Sequence, residues 1–159
     1  MLLIDAASSE MTRGEAQQQK PGLYDLLRNA STPKKVIQSD VCLNLDFLPR
    51  GRDPGDLDLL WGNLLHAVSD VREPPYKWII LDLPALGKAV DVRAAGQVLD
   101  DLLIVVEWGR STQGQLRQGL QKLGPLQERI IGVVINKTPW ASIDAETASA
   151  ARSAAMGPR

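Results

Sequence analysis

Apolar residues in this chain follow two rhythms. Short runs are apolar almost throughout: Leu2 to Asp5, then "KWIILDLP" with apolar residues on both faces, then "LLIVVEW", then "IIGVVINK". Such runs predict buried strands. Between them apolar residues return at helical spacing. Leu23, Leu26 and Leu27 share a face after Gly22. Leu57, Leu60, Trp61, Leu64, Leu65 and Val68 do so within residues 57–71, and Leu116, Leu120 and Leu123 within residues 112–123. Val92 to Leu99 also reads as helical. "VCLNLDFLP", residues 41–49, alternates apolar with polar and ends in proline, which predicts a strand. "RGRDPGD" predicts a loop. Residues 144–156 are Ala-rich and predict a helix with Asp144 as its N-cap.

Near-continuous apolar strands alternating with helices predict an α/β fold, a parallel sheet with helices on both faces. The run "LLIVVEW" is expected to be buried on both sides. The main strands are expected near residues 2–5, 77–83, 102–107 and 130–136. In such folds ligands bind beyond the carboxyl ends of the strands. The residues to interrogate are therefore Asp5, Asp82, Glu107 with Gly109, and Asn136. Asp5, Asp82 and Asn136 are expected on one edge of the sheet.

The totals narrow the class. The 159 residues make one domain's worth of chain. A hydrophobic share of 44% and a charged share of 23% describe a globular protein rather than a disordered one. A net charge of -1 argues against a general nucleic-acid surface. No apolar run approaches the ~18 residues of a membrane helix, and Asp5 interrupts the only apolar stretch near the start. The single Cys42 has no partner for an internal disulfide, which fits a reducing cytoplasm, and reads as a small core residue. The single His66 reads as a helix-face residue, since metal sites want clustered ligands.

Asp82 closes "IILD", and Asp5 closes a matching run. A carboxylate at such a strand end can hold water on magnesium or align an attacking group. It can equally just begin a loop, and the two readings stand level. A phosphate cradle of the form G-x-x-x-x-G-K-[ST] does not occur. Gly87-Lys88 is followed by Ala89 and has Asp82 five positions earlier. Gly109 to Gly114 has the glycine spacing, but Gln115 and Leu116 stand where lysine and hydroxyl belong. That segment reads as a strand-to-helix turn capped by Ser111 or Thr112, with weak anion binding as the alternative.

In order and spacing, "LLIDA", "GLYDLLRNASTPKKVIQ", "LDFLPRGRDP", "WIILDLPAL", "LLIVVEWGRSTQGQLRQGL" and "IIGVVINK" resemble the bacterial tyrosine autokinases, the BY-kinases. The likeness is strongest to the cytoplasmic domain of succinoglycan-type exopolysaccharide export and chain-length proteins. It covers residues 1–140, with residues 141–159 as an Ala-rich C-terminal tail. The resemblance implies a P-loop NTPase fold of the deviant-Walker class, binding ATP and magnesium in the intact family. It implies that Asp5 is the Walker A′ aspartate and Asp82 the Walker B aspartate, both near magnesium, and that Asn136 sits where an asparagine contacts adenine. An asparagine can pair with a purine edge as donor and acceptor; a plain strand-end turn residue is the competing reading. The implied partners are a membrane-embedded polysaccharide export protein or other subunits of the family. The implied location is the cytoplasm, at the inner face of the inner membrane if the chain belongs to a larger protein.

Departures from the family pattern shape the functional expectation. Ala7 and Ser9 replace the second aspartate and the arginine of D-x-D-x-R, and Ala85 follows Pro84 where a second proline is usual. Tyr24 and Tyr76 are the only tyrosines, so the tail carries no tyrosine cluster. The family's first strand and P-loop, which precede the A′ strand, have no counterpart. The fold is therefore expected to be incomplete where the family places the P-loop strand: either residues 79–83 and 103–107 close to ladder spacing, about 4.8 Å, or the gap stays near twice that and the chain is unstable alone, closure being the preferred reading. The expected function is a degenerate or partial BY-kinase-like domain of exopolysaccharide export, inactive and without cofactor in isolation. The alternatives are a kinase half completed in trans and a partition-type deviant-Walker ATPase-like protein.

Overall fold

The computed structural model describes residues 1–7, 21–42, 44–51, 63, 67, 71, 76–86 and 89–139. Several expectations lie outside these: Ser9, His66, Gly87 and Lys88, the side chain of Cys42, most of the helix over 57–71, and the helix over 144–156. Of the 57–71 segment, Ala67 and Val71 are described; both are helical and buried.

The elements run β1 (Leu2–Asp5), α1 (Leu23–Leu27), α2 (Pro33–Val36), β2 (Gln38–Cys42), β3 (Leu45–Leu48), β4 (Ile79–Asp82), α3 (Ala89–Ala95), β5 (Leu102–Glu107), α4 (Gln113–Leu123), a 3-10 segment (Gly124–Arg129) and β6 (Ile130–Asn136). The strands form two sheets, one in the order β2-β3-β1-β4 and one of β5 with β6. β1 pairs in parallel with β3 and β4, and β5 pairs in parallel with β6. The four strands expected for the main sheet all form, within two residues of their expected bounds.

The expected strand over 41–49 is in fact the greater part of a hairpin. β2 and β3 pair antiparallel, and Asn44 between them has φ 58°. Asparagine is among the few residues that enter this left-handed region readily, so the chain reverses there instead of running through. The helix expected over 92–99 starts and ends earlier, at Ala89–Ala95. The Gly96 N–H closes back on Arg93 O at 3.1 Å and Val98 N–H on Ala95 O at 3.0 Å, a tightened end at a residue that favours helix termination.

The main core lies on one face of β1. Leu2 and Ile4 are buried there with Leu23, Leu26 and Leu27 of α1, Val36, Leu48, Ala67, Val71 and Ala95. The start of α1 is welded to the end of β3. Leu23 N–H donates to Pro49 O at 2.8 Å and Tyr24 N–H to Arg50 O at 3.0 Å. Gly22 and Gly51 make this approach feasible: a Cβ on Gly22 would stand 2.2 Å from Pro49 O, and Gly51 has φ 83°. Arg50, buried, donates from Nε to Tyr24 Oη at 2.6 Å and sits over the Tyr24 ring at 5.0 Å. A buried guanidinium is stabilised by such a hydrogen bond and ring contact.

A smaller core joins Val92, Ile104 and Leu123, flanked by Leu86, Leu116, Leu120 and Ile130. Arg129 ties this unit back to α3, donating to Gly96 O and Leu99 O.

Two expectations for β4 and β5 fail together. The strands do not close to ladder spacing: β4 ends one sheet and β5 ends the other. Nor is β5 buried on both sides. Leu102 and Ile104 are buried, but Leu103 and Val105 are 53% and 61% exposed, and Ile80 of β4 is 48% exposed. The run was read correctly as apolar on both faces, but among the described residues only one face has a covering layer. A groove of about 990 Å³ separates the strands, lined by Ile79 to Leu81 on one wall and Leu102 to Val105 on the other.

Candidate functional site at the carboxyl ends of the strands

Parallel pairing puts strand ends of the same sense side by side. In β1 and β4 the register runs Leu2 with Ile79, Leu3 with Ile80, Ile4 with Leu81, and Asp5 with Asp82. The two aspartates are therefore neighbours across one ladder spacing, about 4.8 Å between backbones. The pairing continues one step, with Ala6 N–H donating to Asp82 O at 2.9 Å. Asp5 is half-buried and Asp82 exposed, the latter lining the groove. Among the described residues no group of three or more His, Cys, Asp or Glu side chains gathers. Two carboxylates can supply the protein's share of a magnesium shell, which ordinarily keeps several waters and takes phosphate oxygens for the rest.

The second strand-end cluster belongs to the other sheet. Glu107 and Asn136 are register partners at the ends of β5 and β6, and Trp108 N–H donates to Asn136 O at 2.9 Å. Glu107 accepts from Lys137 Nζ at 3.0 Å and pairs with an Arg110 guanidinium nitrogen at 3.3 Å. The hydrogen bond from Lys137, chiefly, holds the Glu107 carboxyl below the usual carboxylate range. Asn136 Oδ1 accepts the backbone N–H of Lys137 at 2.8 Å, and Lys137 itself has φ 58°. Asn136 thus stabilises the turn leaving β6.

Gly109 to Gly114 is a capping turn. Thr112, not Ser111, is the N-cap: Thr112 Oγ1 accepts from Gln115 N–H at 3.2 Å, and Gln115 Oε1 accepts from Thr112 N–H at 2.9 Å. Gln115, standing where a phosphate-binding lysine belongs, is spent on this reciprocal box.

Asp5 and Asp82 are thus brought together by register, while Asn136 joins Glu107 in the separate sheet. Sequence reading singled out Glu107 but not its cations. Arg110 three residues on was a local signal; Lys137 is thirty residues away and becomes a partner only through the β5–β6 register.

The fold is a mixed α/β one with parallel strands, of the kind that P-loop NTPases have. No family model matches the chain. Curated relatives are the putative tyrosine-protein kinase EpsB of Ralstonia nicotianae, 28% identical over 142 residues, and the succinoglycan biosynthesis transport protein ExoP of Rhizobium meliloti, 28% identical over 144 residues. The match takes in 86% of this chain and 18% of each relative, so the chain spans under a fifth of their length. Among solved structures, the VpsO kinase domain superposes with a TM-score of 0.72 at 23% identity, covering 87% of this chain and 70% of that domain. Apo McdA of Cyanthece superposes with a TM-score of 0.60 at 18% identity, covering 99% and 71%. In sequence the chain is similar to bacterial tyrosine kinases, and its fold is that of the BY-kinase domains, shared more distantly with partition-type proteins.

Proposed function

We propose that this chain is a BY-kinase-like domain of an exopolysaccharide export system, catalytically silent by itself. The observation that carries the reading is the register of Asp5 with Asp82 at the carboxyl ends of adjacent parallel strands. That is the geometry a Walker A′ and Walker B pair needs. In this reading ATP and magnesium are the groups the site descends from: Asp5 and Asp82 would hold magnesium through water, and Asn136 would face the adenine. The bound nucleotide would supply the phosphoryl group. The residues of this chain fit that role in part. The carboxylate pair is in place, but Ala7 is where a second A′ aspartate belongs, and the sequence holds no G-x-x-x-x-G-K-[ST] cradle. Positioning and charge stabilisation account for nearly all of phosphoryl-transfer catalysis, so carboxylates alone leave the reaction unassisted.

The domain would then act by contact, with a membrane-embedded export protein or related subunits, at the cytoplasmic face of the inner membrane. Among the described residues no helix is long and apolar enough to cross a membrane. The name of one relative, the succinoglycan biosynthesis transport protein ExoP, supports the setting. The partition-type reading rests on likeness of fold, to apo McdA and to a ParA family ATPase.

Deleting the gene and measuring the yield and length of secreted polymer tests the proposal. Altered polymer, restored equally by the native chain and by Asp82→Ala, supports a non-catalytic export role. Unaltered polymer with disturbed plasmid or cargo positioning supports the partition reading instead.

A further inference from the structure

The turn between α1 and α2 is held from both ends. Leu26 and Leu27 close α1 inside the main core, and Val36 closes α2 in the same core. Between them Asn29 N–H donates to Leu26 O and Ala30 N–H to Asp25 O, both at 2.8 Å, and Lys35 N–H donates to Thr32 O at 3.0 Å. Pro33 fixes φ at the first position of α2. The segment 28–35 is thus an ordered outer shoulder of the domain.

Three cations stand on this shoulder. Arg28, Lys34 and Lys35 are exposed, and none pairs with a carboxylate among the described residues. From Leu26 to Ser39 the sequence holds no acidic residue. Asp25, the acid just before, is half-buried and accepts from Gly22 N–H at 2.8 Å. Lys137 and Arg110, by contrast, both meet Glu107. A protein of net charge -1 therefore carries three unneutralised positive charges within eight residues. The side chains between them are Asn29, Ala30, Ser31, Thr32 and Pro33. They include no aromatic ring on which a base could stack and no large apolar group to anchor a protein partner.

We infer that residues 28–35 form a docking surface for an anionic bilayer, with the phosphate head groups of acidic lipids meeting Arg28, Lys34 and Lys35. Positive charge without stacking groups or apolar anchors fits a partner that is itself a plane of negative charge. Each cation brought to such a surface strengthens binding about fivefold, so three give about a hundredfold over a neutral bilayer. That is short of stable anchoring, which takes more cations or a second signal. The contact instead sets which side of the domain faces the membrane once another element holds it there. The inference takes its setting, the inner face of the inner membrane, from the proposed export role, and is tested without reference to polymer.

The purified chain is sedimented with vesicles of phosphatidylcholine, either pure or with about one-third phosphatidylglycerol, at about 20 mM salt, where charge is little screened. The expected result is a partition coefficient about a hundredfold higher on the acidic vesicles, falling to the neutral value at about 0.5 M salt. Lys34→Gln and Lys35→Gln should each lower it about fivefold. The triple variant with Arg28→Gln added should bind acidic and neutral vesicles alike. Its urea midpoint should be unchanged, which separates a lost contact from a lost fold. Arg117→Gln with Lys122→Gln, exposed on α4, is the control and should leave binding as it was. The inference is overturned by equal binding of the native chain to both vesicles, or by an equal loss in the α4 control. Displacement by inorganic phosphate at constant ionic strength would mean a single-anion site, and would also overturn it. So would binding to duplex DNA that is tighter than to the vesicles and lost in the triple variant, since the partner would then be a nucleic acid.

Discussion

Asp5 and Asp82 are register partners at the ends of neighbouring parallel strands, so the two carboxylates share one stretch of sheet edge although seventy-six residues of chain lie between them. The sequence holds no G-x-x-x-x-G-K-[ST] cradle to position a nucleotide over the pair. The purified chain should therefore turn over ATP no faster than a blank and should not phosphorylate tyrosine. Phosphate release and anti-phosphotyrosine blots measure this. Turnover that disappears in Asp82→Ala would show a working site and sink the silent-domain reading.

The contact between α1 and β3 should be among the least tolerant places in the fold. A methyl group on Gly22 meets backbone atoms of Pro49, Arg50 and Gly51, which cannot swing aside as a side-chain tip can. Gly22→Ala should cost about 3 kcal/mol, at the upper end of ordinary overpacking. Urea unfolding would show this as a lower midpoint at similar slope. Gly114→Ala, where the nearest atom is 3.9 Å away, is the matched control and should be neutral or slightly stabilising.

Removing the cap of α4 should be felt modestly. Thr112→Ala deletes an acceptor for Gln115 N–H and should cost about 1 kcal/mol. Thr112→Ser keeps the oxygen and should restore most of it. Equal losses in both variants would mean that the methyl group, not the hydrogen bond, matters here.

Tyr76 gives the fold a pH dependence at the alkaline end. Its hydroxyl donates to Asp46 Oδ2 at 2.6 Å. Burial, then the hydrogen bond and charge of Asp46, push its pKa up from 10 to about 12. A group whose folded pKa is raised contributes stability that is whole below its unfolded value and fades as pH climbs through the folded one. The contribution should be complete below pH 10 and decline between pH 10 and about 12. Tyr76→Phe should flatten that part of the stability profile, and absorbance titration at alkaline pH should show one phenol ionising late.

The strand ends were readable from sequence because each parallel strand closes an apolar run with a polar residue, as Asp5, Asp82 and Asn136 do. Asp5 and Asp82 share an edge because β1 and β4 pair in parallel, while Asn136 ends a strand of the other sheet. The hairpin at Asn44 was not readable: "VCLNLDFLP" satisfies an alternating pattern, and the left-handed residue that breaks it looks like any polar position. Lys137 as a partner of Glu107 was also hidden, because only the β5–β6 register brings residues thirty apart into contact. The open face of β5 was missed for a different reason. Sequence reports what a side chain is suited to touch, and Leu103 and Val105 are suited to burial whether or not a layer is present to bury them.

The division of the strands into two sheets has a consequence for how the chain comes together. β5, α4 and β6 are contiguous, from 102 to 136, and share a small core of Ile104 and Leu123 with Val92 of α3. The other sheet must gather residues 2–5, 45–48 and 79–82 across long loops, and loop closure makes such contacts slower to form. No backbone ladder joins the two units among the described residues; the Arg129 side chain and the packing around α3 do. Unfolding should then occur in two steps rather than one, coupled by the Arg129 strut and the packing around α3. Arg129→Ala should widen the separation of the two transitions in a calorimetric scan, and the segment 102–136 should be the first to regain protection on refolding.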